Sequence, residues 1–149
     1  MKALTLFEPY GTLVVRGLKP FETRSWKTSY RGPLAIHTSK NRVDHILREE
    51  PFKSALRGVT GFNYGCIIGT VDMVGCVPAT EAAILYAPTE QDLAFGDWSE
   101  GRFIWEFRSP QRLVKPIPIK GGQRLWNAPD DAMSAMKVVA PTRLQVNIA

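Results

Sequence analysis

Apolar and polar positions alternate in short runs, and turn residues interrupt them every few residues. Ala3–Phe7 predicts a first strand, stopped by Glu8 and Pro9. Pro9 suits the opening of a short helix that Gly17 closes, with Leu13 and Val14 on its buried face. Phe21–Ser25 and Leu34–Thr38 predict two further strands, with Arg31-Gly32-Pro33 as a turn between them. Val43, Ile46 and Leu47 recur at helical spacing, so a helix is expected over Asn41–Leu47, ended before Pro51. After a Gly-rich loop, Cys66–Val77 carries the strongest strand pattern, and Gly69 and Gly75 predict bulges or bends in it. Thr89 and Asp92 have capping-box spacing before a short helical turn. Phe103, Trp105 and Phe107 share one face of a strand over Arg102–Arg108. Leu113–Ile119 is extended, with Pro116 and Pro118 restricting it to an edge or bulge. Pro129–Val138 predicts a helix with Asp130 and Asp131 in its first turn, and Arg143–Ile148 alternates as a last strand. Six or seven short strands with two to four short helices, few of them crossovers, predict an α+β chain. It is mainly β and forms a small mixed or antiparallel barrel with short peripheral helices, not a doubly wound sheet.

The 149 residues fit one domain, 1–149, and 44% hydrophobic with 22% charged residues is a globular mixture. The longest apolar runs, such as Cys66-Ile67-Ile68, fall far short of the about 20 residues a membrane span needs, so no membrane partner is expected. The N-terminal stretch has no h-region with a cleavage site. Cys66 and Cys76 read as reduced core residues, and a cytoplasmic location follows. Together with His37 and His45 they show no metal-ligand spacing, so neither a metal nor another cofactor is expected.

Charge is segregated within a net +5. Arg16–Arg42 holds seven bases against the single acid Glu22, Asp72–Glu106 seven acids against Arg102, and Phe107–Trp126 five bases and no acid. If folding unites the two basic blocks, a polyanion is the natural partner. The alternative is a set of scattered, solvated bases.

The densest polar cluster runs from Gly17 to Trp26. Period-two alternation puts Glu22, Arg24 and Trp26 on one face, with Phe21 and Thr23 opposite, and Lys19 reaches the same mouth from a turn. Arg binds phosphate bidentately, Trp offers a stacking face, and Glu accepts from a base amino group. The alternative is a structural Glu22–Arg24 pair with Trp26 filling the core. In a second cluster, Tyr30–Lys40, His37 shares a face with Ala35 and reads as a satisfied structural group. The third, Lys120–Asn127, joins Gly121-Gly122 to Arg124 and Trp126 without the pattern of a Walker loop.

Gly17-x-Lys19-x-x-Glu22-x-Arg24 resembles the Gly-x-Lys-x-x-Glu-x-Arg motif of the ASCH family, the activating signal cointegrator homology domain. The resemblance continues through Ser25-Trp26, Tyr30–Leu34, Tyr64–Asp72 and Pro118–Gly121 to Trp126. It implies a PUA-like β-barrel with a cleft lined by Lys19, Glu22 and Arg24, and with Trp26, Ser39, Lys40 and Trp126 nearby. It also implies a partner that is RNA, another nucleic acid or a nucleotide-like small molecule. Backbone phosphates would then meet Arg16, Lys27, Arg31, Lys40 and Arg124. Some members of the family hydrolyse N-acetylated cytidine, and ribonuclease activity is attributed to others. The alternative implied is therefore a small hydrolase using Lys19 as base and Glu22 as proton shuttle. In the amidohydrolase pattern a Thr stands three residues after the Lys, whereas here that residue is Glu22.

Overall fold

A computed structural model describes residues 1–42 and 45–140. Its centre is one six-stranded sheet built from β1 (Lys2–Leu6), β2 (Phe21–Arg24), β3 (Gly32–Thr38), β4 (Cys66–Pro78), β5 (Phe103–Pro118) and β6 (Leu125–Asn127). The spatial order is β2-β5-β4-β3-β1-β6, with β1 and β3 parallel and every other pair antiparallel. The sheet curls into a half-barrel, and Arg24 of β2 reaches across the opening to donate to the Thr5 carbonyl of β1 at 3.0 Å. Around it lie α1 (Tyr10–Val15), α2 (Phe52–Ala55), α3 (Ala79–Leu85), α4 (Glu90–Ala94), α5 (Asp130–Met133) and a 3₁₀ turn, His45–Arg48. The expected mainly β chain with short peripheral helices is what forms.

The strand period of two sorts the core. Leu4, Leu6, Leu34, Ile36, Val71, Met73 and Trp105 fill the inside of the curl, where Val14 and Val15 of α1 close it. Ala3 and Ala35, one residue out of phase, face the other way beneath Met133, Met136 and Val138. Each large side chain buried this way contributes about 1.5–3 kcal/mol.

Gly69 is where α1 meets the sheet. A Cβ there would stand 2.2 Å from the Gln111 carbonyl and 2.5 Å from Val15. Only glycine lets the C-terminal end of α1 sit against β4 and β5 at that depth. The β4–β5 register shifts between Ile67 and Gly69, Thr70 and Asp72, and Met73 and Gly75, as the two glycines predict.

Four expectations need correction. Arg102–Arg108 and Leu113–Ile119 are not separate segments but parts of the single strand β5, bent near Ser109, whose φ is +52°. Its second edge pairs with β2 through Phe103–Glu106 and with the backbone of 137–139 through Arg112 and Val114. Pro110, Pro116 and Pro118 fall outside those stretches, so their missing N–H groups break no ladder. The helix expected over Asn41–Leu47 is replaced by the 3₁₀ turn from His45; Asn41 and Arg42 are not helical, and Val43 lies outside the described residues. The helix expected over Pro129–Val138 shrinks to α5, because Val138 leaves it to bridge Leu113. The helices α2 and α3 went unpredicted, since each is short and α3 buries only Ala79 and Ala82. The strand expected over Arg143–Ile148 lies outside the described residues.

A candidate binding cleft between β2 and α4

The chain leaves α1 at Gly17, turns through Leu18 and enters β2, which forms one edge of the sheet. On the other side of a cleft stands the end of α4. A capping box sets that helix: Thr89 accepts from the Asp92 N–H at 3.1 Å, and Asp92 accepts from the Thr89 N–H at 3.0 Å. Phe95 follows and locks into Phe52, with ring centroids 4.9 Å apart. The backbone from Phe95 to Asp97 is thereby held over β2. At Gly96 a Cβ would lie 2.7 Å from Thr23, so glycine allows the approach.

Lys19 joins the two walls from beneath. Its side chain is 2% exposed, and Nζ donates to the carbonyls of Phe21 at 2.7 Å and Phe95 at 2.5 Å, with Glu22 Oε1 at 3.7 Å. Two of the ammonium's three donors thus go to carbonyls, and Glu22 supplies the opposite charge beside it. Burial pulls the Lys19 amine below its ordinary range, and the neighbouring Glu22 opposes that pull.

Above Lys19 opens a cleft of about 670 Å³, within the size range of small-ligand sites. Glu22 is fixed at its base. Oε1 accepts from the Thr23 N–H at 2.8 Å, and Oε2 accepts from Arg24 at 3.2 Å. A carboxylate has about four acceptor positions, so Glu22 retains capacity for a ligand N–H. Tyr10 stands beside it, and burial, together with the charge of Glu22, raises the phenol above its usual range and keeps it a donor. Arg102 donates to the Thr23 carbonyl at 3.1 Å, and its buried Nε makes no hydrogen bond. Phe7 forms part of the lip and is 58% exposed.

Behind Arg24, Thr5 links three elements. Its hydroxyl accepts from Trp126 Nε1 at 3.1 Å and donates to His37 Nδ1 at 3.1 Å. His37 Nε2 in turn donates to the Ile119 carbonyl at 2.8 Å. Burial lowers the imidazole's pKa, so His37 is the neutral, satisfied group its sequence context suggests.

The residues singled out in the sequence divide among several places. Glu22, Arg24 and Ser39 line the cleft, and Lys19 underlies it. Trp126 reaches it indirectly, through Thr5. Trp26 packs edge-on against Trp105, and Arg124 covers its ring at 4.4 Å. Lys40 is exposed with its stem against Gly65, and Arg31 donates to the Thr28 and Tyr30 carbonyls of its own loop; neither is among the lining residues. Thr23 departs from the alternation: β2 is an edge strand, so the cleft wraps around it and Thr23 lines the cleft as well. Its hydroxyl accepts from the Asp97 N–H at 3.0 Å. Sequence reasoning missed Thr5, Tyr10, Asp97 and Arg102. The usable signal was the capping box followed by Phe95-Gly96-Asp97, which marks a helix ending on a tightly packed turn. The lining carries two guanidiniums, Arg24 and Arg102, and two carboxylates, Glu22 and Asp97. The two basic blocks meet outside this lining: Arg124 lies over Trp26, and Arg16 and Arg112 border the same two grooves.

Among the described residues no three of His, Cys, Asp and Glu converge as metal ligands, and no helix is long and apolar enough to cross a membrane. The family model described as "ASCH domain" matches residues 4–117. Activating signal cointegrator 1 of Mus musculus and that of Homo sapiens are each 28% identical over 130 residues, covering 83% of this chain and 21% of the relative. The chain thus spans about a fifth of the length of these curated relatives. The crystal structure of ASCH from Zymomonas mobilis superposes with a TM-score of 0.58 at 14% identity, covering 91% of this chain and 95% of that one. A point-mutant form of the same protein gives 0.58 at 14% identity, over 91% and 98%. These likenesses show the fold, a PUA-like half-barrel.

Proposed function

Because the chain belongs to the ASCH domain family, we propose that it is an RNA-binding module that admits one unstacked base into the cleft between β2 and α4. The observation that carries this reading is Glu22. Its carboxylate is held at the base of a nucleotide-sized opening by Thr23 and Arg24, with acceptor capacity left over. A base amino or imino group supplies the N–H that this acceptor needs. Phe7 and Tyr10 offer ring surface for stacking at the lip, and single-strand recognition depends on such surfaces. Arg24 and Arg102 supply donors for a ribose or phosphate oxygen.

The hydrolase alternative, acting on N-acylated cytidine or single-stranded RNA, would use Lys19 as the base. The geometry favours binding instead, since the Lys19 amine is committed to two carbonyls and lies under the cleft rather than in its lining.

Titration of isotopically labelled protein with CMP, AMP, GMP and UMP in turn tests the reading. Amide shifts are expected at Thr5, Thr23, Gly96 and Asp97. Glu22→Gln should weaken the best nucleotide about 10- to 100-fold, the range of one charge-assisted hydrogen bond. Absence of shifts at those amides with all four nucleotides overturns the cleft assignment. Release of acetate from N-acetylcytidine that disappears in Lys19→Met would favour the hydrolase instead.

A further inference from the structure

A second charged place lies at the far end of α1 and takes no part in the cleft. Arg16 caps the C-terminal end of α1, and Arg112 lies on β5, where Gly69 lets Val15 press against the strand. The close approach permitted by Gly69 brings Arg16 and Arg112, from distant parts of the chain, into the lining of the same two grooves. The two guanidiniums are near enough that partial burial, together with the positive charge of Arg112, depresses the pKa of Arg16.

Like charges placed together without a counter-charge are a cost to folding. Elsewhere the protein avoids it: Arg24 has Glu22, Arg102 has Asp97 and Arg108 has Glu106. Among the described residues, neither Arg16 nor Arg112 has a carboxylate partner.

The surroundings fit an extended anion better than a lone ion. Two grooves, of about 380 and 130 Å³, share Val15, Arg16 and Arg112, so the two arginines form the saddle between them. Among the described residues, neither groove has an acidic residue in its lining. The larger adds Ser109 and Gln111, and the smaller adds Asn63, all uncharged groups with donor capacity. An isolated sulfate would fill the saddle and leave both grooves unused. A chain of phosphodiesters uses the saddle for one phosphate and the grooves for the nucleotides on either side.

We propose that Arg16 and Arg112 form a phosphate clamp for the backbone of single-stranded nucleic acid, separate from the base-binding cleft. The inference rests on the RNA-binding reading and adds to it a second contact region with its own residues. Guanidiniums suit this role, because each presents a planar pair of donors to phosphate oxygens. Contacts from Arg16 and Arg112 to phosphate oxygens position the strand and carry no sequence information themselves.

The test measures fluorescence anisotropy of a labelled single-stranded oligouridylate of about 12 nucleotides over a range of salt concentrations. Arg16→Gln/Arg112→Gln should weaken binding at least about ten-fold at low salt. It should also reduce the log–log salt slope by about 0.7 if the pair holds one phosphate and about 1.4 if it holds two. Arg16→Lys/Arg112→Lys, which keeps the charge and loses the fork, should fall between the wild type and the Gln pair. Arg48→Gln/Lys53→Gln removes the same charge elsewhere and should have the smaller effect. If this control weakens binding as much as the Gln pair, or if the Gln pair binds like wild type, the clamp is overturned. In the second case a loss in Glu22→Gln would leave the cleft reading standing. Loss in the Gln pair with none in Glu22→Gln supports the clamp and overturns the cleft. No binding by the wild-type protein overturns both.

Discussion

Replacing Lys19 with Met tests whether this buried cation fastens the two walls of the cleft. Met has nearly the same length and no charge. The substitution leaves the Phe21 and Phe95 carbonyls without donors at positions now 2.7 and 2.5 Å from Nζ, and removes the ammonium 3.7 Å from Glu22. Lys19 is 2% exposed, so water cannot readily replace it. Breaking one side of a buried charged arrangement typically costs about 3–5 kcal/mol. Glu22 keeps Arg24 and the Thr23 N–H, so the lower end of that range, about 3 kcal/mol, is expected. For a chain of this size such a loss lowers Tm by about 10 °C. Equilibrium urea unfolding should show a reduced midpoint with an unchanged slope. Replacement of a buried cation by an apolar group is often neutral when nothing depends on the cation. A loss under about 1 kcal/mol would therefore refute the fastening role and leave Lys19 available for proton transfer.

Three further outcomes follow from the packing. Burial lowers the pKa of folded His37, so as pH falls below about 6.5 the unfolded chain takes up its proton first and stability drops. His37→Gln should lose less stability than wild type between pH 7 and 5 in urea titrations. Burial raises the Glu8 carboxyl, which acts in the opposite sense and cancels in that difference; parallel curves would refute the assignment. Gly69→Ala should cost about 3 kcal/mol or more, read as a fall in Tm, because its Cβ meets a backbone carbonyl that cannot move aside cheaply. Thr89→Ala should cost about 1 kcal/mol and speed amide exchange across Glu90–Phe95, where the cap now satisfies the first turn.

The strands were legible because burial on one face imposes alternation, as in Leu4 and Leu6 or Phe103, Trp105 and Phe107. Gly69 and Gly75 even disclosed the bulges. The continuity of β5 was not legible. Ser109-Pro110 reads locally as a turn, and only pairing with β4 along both halves carries the strand through it. The ends of the helices at 41–47 and 129–138 were misjudged for a similar reason: backbone partners distant in sequence, such as Leu113 for Val138, outweighed local spacing. At the cleft, the motif disclosed Lys19, Glu22 and Arg24 because they lie within six residues. Asp97 is brought to the cleft behind Phe95, which packs on Phe52, and Arg102 by the pairing of Phe103 with Arg24, neither of which any local pattern contains. The sequence also favoured a mouth-facing Lys19; its burial depends on the Phe95 carbonyl, supplied from 76 residues away.

The bent ribbon β5 acts as a ruler. Its first residues lie behind Glu22 and Thr23, and its middle carries Arg112. From Ile104, opposite Thr23, to Arg112 is eight steps, which at about 3.3 Å each set those two stations at most about 26 Å apart along the strand. Neither can drift relative to the other without tearing the ladder to β4. If nucleic acid binds as proposed, short oligonucleotides reach a single station, longer ones engage both, and affinity should climb in a step with length rather than smoothly.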